Sequence, residues 1–288
     1  MKETTNRQQK ISLPIKKEEE IQRVDEEDYE KPKSYDPPRE ELLDRTTIHR
    51  DFSTEAYLKD FYANVDDCAM QMVLHYLPHF AARIGKKERL LDFGAGPTIH
   101  VPCCFRNYVN EFFLADYLPQ NRKELLNWFN NNSDFDWSKP LTMIANCEMG
   151  DLTKLKEMEN LARSKVKGIF HCDAFKDPSI NCTSSYRKTF DIITSLFCLE
   201  YCTENNDEFK KCIFNVIKQL KPGGYYIMGG VMEENWCSFN NKKFTCLFLT
   251  EKVLFDALRD AGMDIDNEKE TKFINNDGMY MILCKKKM

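Results

Sequence analysis

Long apolar segments are missing from this sequence of 288 residues. No run of about 18 apolar residues occurs, which is the length that a membrane-spanning helix needs. The first residues, Met1 to Thr5, also lack the apolar stretch of a secretory signal peptide. We therefore expect no membrane segment, no membrane partner and a cytoplasmic location.

Metal-binding cysteine pairs are also missing, although the chain has 12 cysteines. No two of them have the Cys-x-x-Cys spacing that structural zinc sites use. Most lie among apolar residues, as Cys147, Cys172, Cys198 and Cys284 do. Without a secretory signal, such thiols are expected to be reduced and to pack as small apolar side chains, so we predict no metal site.

The sequence also lacks an excess of positive charge. Lysine and arginine together number 41, aspartate and glutamate number 46, and the net charge is −5. Nucleic acids and anionic membranes select for basic surfaces, so the acidic balance argues against nucleic acid as a partner. Hydrophobic residues make up 42% of the chain, which is normal for a globular domain.

The chain divides into a charged segment and one domain. Residues 1–45 are rich in charge, poor in apolar residues and interrupted by Pro32, Pro37 and Pro38. Such a segment cannot bury enough surface to offset chain entropy, so we expect a disordered tail, with a docking arm for a partner as the alternative. Residues 46–288 suffice for one α/β domain of roughly 230–250 residues, which we expect to be a monomer.

Apolar runs and amphipathic segments alternate after residue 50. The residues from Ser53 to Leu58 predict a capped helix start. The predicted strands are 90–93, 112–115, 168–172, 190–196, 225–229 and 279–285, and the predicted helices are 66–84, 210–220 and 251–261. This alternation predicts a mainly parallel sheet covered on both faces, with ligands binding at the carboxyl ends of the strands.

A glycine-rich loop, Gly94-Ala95-Gly96-Pro97, follows the first predicted strand. Glycines there let the backbone approach a ligand closely. A dinucleotide-binding fold would place a third glycine at position 99, which is Ile99, and a phosphate-binding P-loop would need Gly-Lys-Ser/Thr, which is absent. The loop is therefore predicted to contact a ligand closely without binding a phosphate group.

Acidic residues end the next two predicted strands. Asp116 at the second strand end can accept hydrogen bonds from both ribose hydroxyls of a nucleoside, and Asp173 at the third can accept one from an adenine amine. Each aspartate taken alone is as well explained by a helix cap or a turn. Together with the loop they describe a nucleoside site lacking a pyrophosphate site, which fits S-adenosylmethionine and does not fit NAD.

The chain resembles the nicotinamide, phenylethanolamine and thioether/indolethylamine N-methyltransferases from about Tyr57 to Lys285. The stretches that carry the resemblance are Asp92 to Ile99, Asp116-Tyr117 with Gln120-Asn121, Phe135 to Ser138, Phe197 to Glu200, and Leu220 to Gly224. The resemblance implies an α/β class I methyltransferase (Rossmann-like) fold with a seven-stranded, mostly parallel sheet, one antiparallel strand and helices on both faces. It also implies S-adenosyl-L-methionine as the cofactor.

The resemblance further implies which residues bind the cofactor. These are Tyr57, Tyr62, Gly94, Ala95, His100, Asp116, Tyr117, Asn121, Asp173, Ala174 and Leu196. His100 stands where the family usually has a tyrosine. For Tyr57 and Tyr62, core packing is the alternative reading.

Methyl transfer from a sulfonium to nitrogen requires an unprotonated acceptor, whereas an aliphatic amine is mostly protonated at pH 7. A nearby carboxylate would attract the ammonium and could accept its proton. We expect Glu234 to be the principal catalytic contact and Glu200 the second, with solvated loop charges as the alternative. Cys237, which replaces a family tyrosine, and Asp277 are the other expected substrate contacts.

The acceptor and the activity leave alternatives. The nicotinamide enzyme is expected to carry an aspartate at the position of Gly230, which makes nicotinamide a doubtful substrate and favours an arylethylamine-like or another pyridine-like acceptor. A thioether, another small acceptor or a macromolecule are further alternatives. A cofactor-binding protein that has lost catalysis, or an NAD oxidoreductase, would be different classes of function.

Overall fold

The computed structural model describes residues 42–288 of the chain. Residues 1–41 of the expected tail lie outside this range. The last residues of the expected tail, from Leu42 onward, are part of the fold, because Leu42–Leu43 forms strand β1 and helix α1 spans Arg45–Asp51. The Asp44 side chain caps α1 by accepting a hydrogen bond from the Thr47 amide. The folded domain thus includes residues from Leu42 onward, ahead of the expected start at residue 46.

Ten strands occur among residues 42–288. After β1 they are β2 (Lys87–Phe93), β3 (Val109–Asp116), β4 (Val166–His171), β5 (Phe190–Leu196), β6 (Leu220–Val231), β7 (Trp236–Phe239), β8 (Lys242–Thr245), β9 (Lys272–Asn276) and β10 (Met279–Lys285).

Seven of these strands form the main sheet, in the order β4-β3-β2-β5-β6-β10-β9. Strands β4, β3, β2, β5 and β6 pair in parallel, and β10 runs antiparallel to both β6 and β9. The predicted seven-stranded, mostly parallel sheet is therefore confirmed. Strands β5 and β10 begin and end at the residues predicted from the sequence.

The helices cover both faces of the main sheet. After α1 they are α2 (Thr54–Tyr62), α3 (Cys68–Ile84), α4 (His100–Phe105), α5 (Pro119–Phe129), α6 (Ser138–Cys147), α7 (Leu155–Ser164), α8 (Leu199–Cys202), α9 (Asn206–Ile217) and α10 (Glu251–Asp260). None of the helices within residues 42–288 is long and apolar enough to cross a membrane.

Two apolar cores lie on opposite faces of the sheet. Neighbouring residues of β2 belong to different cores, since Leu90 packs with α3 to α7 and Leu91 packs with α9 and α10. Both side chains are fully buried. A strand buried on both faces needs continuous apolar residues, which explains the unbroken runs that identified these strands in the sequence.

Side-chain caps fix where several helices begin. Ser53, Asp67, Asn205 and Thr250 each accept a hydrogen bond from the amide three residues later, at the starts of α2, α3, α9 and α10. Such caps satisfy amides that have no partner within the helix. The predicted helix start at Ser53 is confirmed.

A second, small sheet has the order β1-β8-β7. Strand β1 pairs in parallel with β8, and β8 pairs with β7 as an antiparallel hairpin. An ion pair between Asp51 and Lys242, with 3.6 Å between carboxylate and amine, adds to this connection. The small sheet thus attaches residues 42–51 to the hairpin that follows β6.

Replacing a fully buried strand residue should destabilise the protein strongly. Leu114 in β3 has no exposed surface, so Leu114→Ala should lower the free energy of unfolding by about 2–5 kcal/mol through lost burial and a residual cavity. The control Leu126→Ala alters a side chain that is 49% exposed and should cost about 0.5 kcal/mol or less. Urea unfolding of both variants measures the difference, and equal losses would contradict this packing.

Candidate functional site

A cavity of about 770 Å³ lies at the carboxyl ends of the parallel strands. Its wall is contributed by the segments that follow β2, β3, β4, β5 and β6, and by α1, α2 and α3. Most of the lining is apolar or aromatic, with a few polar side chains. A cavity of this size and composition is typical of a site for one small organic ligand.

The glycine loop forms the floor of the cavity next to β5. Gly94 and Gly96 adopt positive φ angles of 74° and 60°. The amides of Gly94 and Ala95 both donate to the Ala115 carbonyl, at 2.8 and 2.9 Å. A Cβ atom on Gly94 would lie 2.2 Å from the Cys198 Sγ. Position 94 therefore requires glycine for its backbone angle and because the loop after β5 packs against it.

Asp116 joins this loop to the end of β3. Its Oδ2 accepts a hydrogen bond from the Gly96 amide at 2.8 Å, and its Oδ1 accepts from the Leu118 amide at 2.8 Å and the Asn121 Nδ2 at 3.1 Å. Burial raises the pKa of this carboxyl, and the three hydrogen bonds oppose that effect. A carboxylate has about four acceptor positions, so Asp116 can hold the loop and still accept a hydrogen bond from a ligand hydroxyl.

The end of the cavity beside β4 combines aromatic and polar groups. The Asp173 Oδ1 accepts from the Phe175 amide at 3.0 Å, and Asp173 lines the same cavity as Asp116. The Tyr117 ring lies between His49 and His171, with ring centroids 4.6 and 5.3 Å away. This end can accept a planar ring and a hydrogen bond from its amine.

Helix α2 supplies the opposite wall. Tyr62 stacks on His100 with 5.5 Å between ring centroids, and it contacts Trp137 at 5.4 Å and Tyr57 at 6.1 Å. Burial raises the pKa of both tyrosine phenols above their usual value. Tyr62 is 2% exposed and belongs to the apolar core, and it also lines the cavity. Core packing and contact with the cofactor are therefore compatible roles for this residue.

Two further buried polar groups line the cavity without a full set of partners. Asp92 accepts a hydrogen bond from the Thr194 hydroxyl at 2.7 Å, but its second oxygen has no partner among the described residues. Burial raises the pKa of Asp92 to about 7. Neither ring nitrogen of His100 is hydrogen-bonded within residues 42–288. Burial lowers the pKa of His100 to about 3, so its imidazole is neutral at pH 7.

Helix α1 covers the cavity from the side of the small sheet. Arg45 donates to the Glu208 Oε2 and the Cys202 carbonyl, both at 3.0 Å, and pairs with Glu204 at 3.2 Å. Arg45, His49 and Phe52 all line the cavity. These residues were not expected from the sequence, because Arg45 lies in the expected tail and the segment after it carries no ligand motif. The apolar pair Leu42-Leu43 followed by the helix-capping residue Asp44 is the sequence feature that could have indicated folded structure here.

All the cofactor residues expected from the sequence line this one cavity. They are Tyr57, Tyr62, Gly94, Ala95, His100, Asp116, Tyr117, Asn121, Asp173, Ala174 and Leu196. The structure therefore brings these side chains together, and their individual roles stay predictions.

The expected substrate residues divide into two groups. Cys237 lines the cavity near Tyr201, and burial raises the pKa of its thiol to about 12. Glu234 and Asp277 do not lie on the cavity wall. Glu234 is exposed in the turn between β6 and β7, and Asp277 is exposed in the turn between β9 and β10, where chain reversal directs polar residues outward. The structure therefore does not bring these two residues to the cavity wall, and their roles stay predictions.

Glu200 lies fully buried next to the cavity rather than on its wall. A Cβ atom on Gly230 would be 2.2 Å from the Glu200 Oε1, so the carboxylate occupies the space that a side chain at position 230 would take. Neither carboxylate oxygen has a hydrogen-bond partner of good geometry in the described part of the chain. Burial raises the pKa of Glu200 to about 7, and the amides of Val231 and Cys198 only partly oppose this.

A metal site finds no support in the described part of the chain. No group of three or more His, Cys, Asp or Glu side chains within residues 42–288 could hold a metal ion. The cysteines in this range are free thiols, most of them buried or half-buried.

Comparison with protein families gives one match over nearly the whole described chain. A family model described as the NNMT/PNMT/TEMT family matches residues 40–287.

Several curated proteins are similar over most of their length. A nicotinamide N-methyltransferase of Caenorhabditis elegans is 32% identical over 248 residues, covering 83% of this chain and 90% of that protein. A phenylethanolamine N-methyltransferase of Rattus norvegicus is 25% identical, covering 74% and 78%. An indolethylamine N-methyltransferase of Mus musculus is 25% identical, covering 68% and 76%.

Solved structures show the same architecture at low sequence identity. An S-adenosylmethionine-dependent methyltransferase from Clostridium acetobutylicum aligns with a TM-score of 0.53 and 12% identity, covering 81% of this chain and 98% of that chain. A DhpI–SAH complex aligns with a TM-score of 0.52 and 12% identity, covering 84% and 95%. These similarities confirm the predicted class I methyltransferase fold.

Adding a methyl group at Gly94 should abolish ligand binding in this cavity. Gly94→Ala forces a side chain into a positive φ of 74° and against Cys198, so the loop must move. Titration calorimetry with S-adenosylhomocysteine should show an affinity at least about 100-fold lower than that of the unchanged protein.

Gly262→Ala is the matched control for Gly94→Ala. Gly262 also has a positive φ, 88°, but a Cβ atom there meets nothing within 4 Å. This variant should lose about 1 kcal/mol of stability and keep its affinity. Equal loss of binding in both variants would show that general backbone strain, and not the loop, is responsible.

Proposed function

The chain belongs to the NNMT/PNMT/TEMT family of S-adenosylmethionine-dependent N-methyltransferases, and from that premise we propose that it methylates the nitrogen of a small amine that arrives with a positive charge. Relatives in this family are named for nicotinamide, phenylethanolamine and indolethylamine. The choice among such acceptors rests on the residues beside the cavity.

The observation that carries the proposal is the buried carboxylate of Glu200. It lies against Gly230 and neighbours Tyr201 and Cys237, which line the cavity. A buried carboxylate that has only poorly aligned backbone amides as partners is costly and is stabilised by a cationic partner. An ammonium entering past Tyr201 and Cys237 would provide one. Glu200 therefore becomes the principal amine contact in this proposal, ahead of the exposed Glu234.

The cavity suits the cofactor in size and in its polar groups. Asp116 and Asn121 would hold the ribose, Asp173 and Ala174 the adenine, and Gly94, Ala95 and Leu196 the methionine part. Tyr57, Tyr62 and Tyr117 would enclose the molecule from the sides of α2 and β3. The cofactor supplies a methyl group bound to a positively charged sulfur, whose departure needs no acid from the protein.

The protein's own chemical task is then to deprotonate and align the acceptor. A carboxylate whose pKa is raised to about 7 is a stronger base than an ordinary carboxylate and can still be ionised at neutral pH. Removing that proton frees the nitrogen lone pair for attack, directly or through one water. Phe239, whose ring lies 6.0 Å from Tyr57 and 5.3 Å from Phe52, offers an apolar surface for the rest of the acceptor.

A nicotinamide-like pyridine is the second candidate acceptor. The relative that is 32% identical carries the name nicotinamide N-methyltransferase, which favours it. A pyridine nitrogen already has a free lone pair at pH 7 and needs no base. Gly230, which offers no side chain to a carboxamide, argues against nicotinamide itself. Thioethers and other small molecules are further alternative acceptors for the same cavity.

We also propose that the protein is a monomer, that it is located in the cytoplasm and that it has no nucleic-acid partner. The net charge of −5 supports the last of these.

A panel of acceptors tests the proposed function. Arylethylamines, indolethylamines, pyridines and thioethers are each mixed with methyl-labelled S-adenosylmethionine and the purified protein. Label transfer to an amine supports the proposal. Transfer to pyridines alone favours the second candidate, and cofactor binding without any transfer would indicate a protein that has lost catalysis.

Removing the charge of Glu200 should impair amine methylation selectively. Glu200→Gln should lower kcat/KM for an aliphatic amine by about 100-fold or more, because general-base assistance is lost. In the unchanged protein kcat/KM should rise as pH rises through about 7, where Glu200 ionises. In the unchanged protein the rise should level off above about pH 7, whereas in the variant kcat/KM should keep rising with pH as the amine itself loses its proton. The affinity of the variant for S-adenosylhomocysteine should stay normal.

Two companion variants sharpen this experiment. Gly230→Ala must displace the Glu200 carboxylate and should reproduce much of the loss. Glu234→Gln removes an exposed charge and should leave turnover within about twofold. Loss in Glu234→Gln with normal turnover in Glu200→Gln would restore the order of roles expected from the sequence.

A further inference from the structure

Five buried polar atoms on one face of the main sheet have no hydrogen-bond partner of good geometry within residues 42–288. They are the two carboxylate oxygens of Glu200 and the hydroxyl oxygens of Ser195, Tyr226 and Tyr280. All four residues are 1% exposed or less. A buried tyrosine hydroxyl usually has a hydrogen-bond partner, and a buried polar group without one lowers stability. Packing alone therefore does not explain why these hydroxyls are present.

The strand register places Tyr280 beside Glu200. Tyr280 of β10 pairs with Gly230 of β6, and the side chains of paired residues project from the same face of a sheet. A Cβ atom on Gly230 would lie 2.2 Å from the Glu200 Oε1. The Glu200 carboxylate therefore fills the position opposite Tyr280 that a side chain of residue 230 would otherwise take.

Ser195 and Tyr226 extend this group along the same face. Tyr226 lies four residues before Gly230 in β6, and Ser195 of β5 pairs with Met228, which lies midway between them. Residues two apart in a strand project from the same face, so these positions share one side of the sheet. Burial raises the pKa of Tyr226, the nearby Ser195 hydroxyl lowers it, and the charge of Glu200 adds to the rise. The hydroxyls of Ser195, Tyr226 and Tyr280 thus form one hydroxyl cluster next to the carboxylate.

The titratable groups that interact with the charge of Glu200 are all thiols or phenols. They come from its own segment, from β6, β7 and β10, and from the residue after β8: Cys198, Tyr201, Cys202, Tyr226, Cys237, Cys246 and Tyr280. The pKa of each is raised, for Cys202 first by the neighbouring Cys212 thiol and for the others first by burial, so all are neutral at pH 7. No lysine, arginine or histidine of the described chain contributes to the pKa of Glu200.

Hydroxyl groups suit a carboxyl group that changes its protonation state. A hydroxyl can donate to an ionised carboxylate and accept from a protonated one, whereas a backbone amide can only donate. The proposed base must exist in both states, because it is ionised before it accepts the amine proton and neutral afterwards. Buried polar groups that do not meet directly are bridged by ordered water. The hydroxyl cluster can therefore serve Glu200 in both states.

We propose that Tyr226 and Tyr280 are positioning residues for Glu200. Their hydroxyls, together with that of Ser195, hold its carboxylate by hydrogen bonds, either directly or through one bound water, and stabilise the ionised form. Neither tyrosine lines the cavity, so both act through Glu200 and not by touching the cofactor or the acceptor. The inference rests on the proposed role of Glu200 as the base of amine methylation.

A shift in the ionisation of Glu200 follows from this arrangement. Hydrogen bonds donated to a carboxylate favour its charged form and lower its pKa, which opposes the effect of burial. Removing a donor therefore raises the pKa of Glu200, and a larger fraction of the protein carries a protonated, inactive base at neutral pH. A hydroxyl cluster with no connection to Glu200 would leave this ionisation unchanged, and its removal would only affect stability.

Infrared titration of Tyr280→Phe measures the ionisation of Glu200 without any acceptor. The carboxylic acid band of Glu200 is the one that Glu200→Gln lacks, and its intensity is followed between about pH 5 and about pH 9. In Tyr280→Phe the midpoint should lie about one pH unit above that of the unchanged protein, which is a tenfold change in proton affinity. Tyr226→Phe should shift the midpoint in the same direction. Melting temperatures establish that both variants are folded.

The pH profile of amine methylation is the second readout. The pH at which kcat/KM levels off should move upward by about one unit in Tyr280→Phe, so that kcat/KM at pH 6.5 falls by about tenfold. Above the new midpoint kcat/KM should approach that of the unchanged protein, and the affinity for S-adenosylhomocysteine should stay normal. A general loss of structure would instead lower kcat/KM by the same factor at every pH.

Tyr225→Phe is the matched control. Tyr225 is the neighbour of Tyr226 in β6, packs with the core on the other face of the sheet, and donates to the Glu270 Oε2 at 3.1 Å. This variant loses the same hydroxyl group and should keep both the infrared midpoint and the pH profile.

Two results would overturn the inference and leave the proposed function intact. One is an unshifted midpoint in both Tyr226→Phe and Tyr280→Phe, and the other is an equal shift in Tyr225→Phe. Normal amine turnover in Glu200→Gln would instead overturn the proposed role of Glu200, and the infrared midpoints would then still show whether the hydroxyl cluster holds its carboxylate.

Discussion

The site depends on the carboxylate of Asp116. Its two oxygens receive hydrogen bonds from the Gly96 amide in the glycine loop, and from Leu118 and Asn121 after β3. Asn121 in turn accepts a hydrogen bond from the Thr54 hydroxyl of α2 at 3.1 Å. One buried acid therefore connects the loop, the end of β3 and the helix that covers the cavity. Burial raises the pKa of Asp116, and its hydrogen bonds favour the ionised form. The same hydrogen bonds that organise the site therefore also help to keep the carboxyl group charged.

Three other polar groups in or beside the cavity are buried without a full set of partners: Asp92, His100 and Glu200. Such groups lower stability unless a ligand compensates them. Asp92 and His100 lie on the cavity wall, and Glu200 lies beside the cavity against Gly230. In the proposed function, the ammonium of the acceptor compensates the charge of Glu200. Glu200 can occupy its position because Gly230 has no side chain. In the proposed function, the acceptor preference therefore depends on this pair of residues.

The sequence predicted the central strands β2, β3, β5 and β10 well because they are largely buried and contain unbroken apolar runs. The edge strand β9 is half-buried to exposed and was not predicted. The helices α5, α6 and α7 were not predicted. α5 has mostly polar residues, whereas α6 and α7 are amphipathic but have few apolar residues between long polar stretches, so their apolar face was not recognised. The hairpin β7–β8 is short and partly exposed, and it was missed for the same reason. Among the expected site residues, those at strand ends and in the glycine loop line the cavity. The placement of Glu200, Glu234 and Asp277 depends on turn conformation, which residue type alone does not specify.

The central claim is that Asp116 acts as a carboxylate that organises the cofactor site. Asp116→Asn keeps the shape of the side chain but puts an amide donor where one oxygen accepts a hydrogen bond. The most direct measurement is the affinity of this variant for S-adenosylhomocysteine, with its melting temperature taken as evidence of folding. The account predicts binding weaker by about 100-fold, or about 2.7 kcal/mol. A folded variant that binds as tightly as the unchanged protein would contradict it.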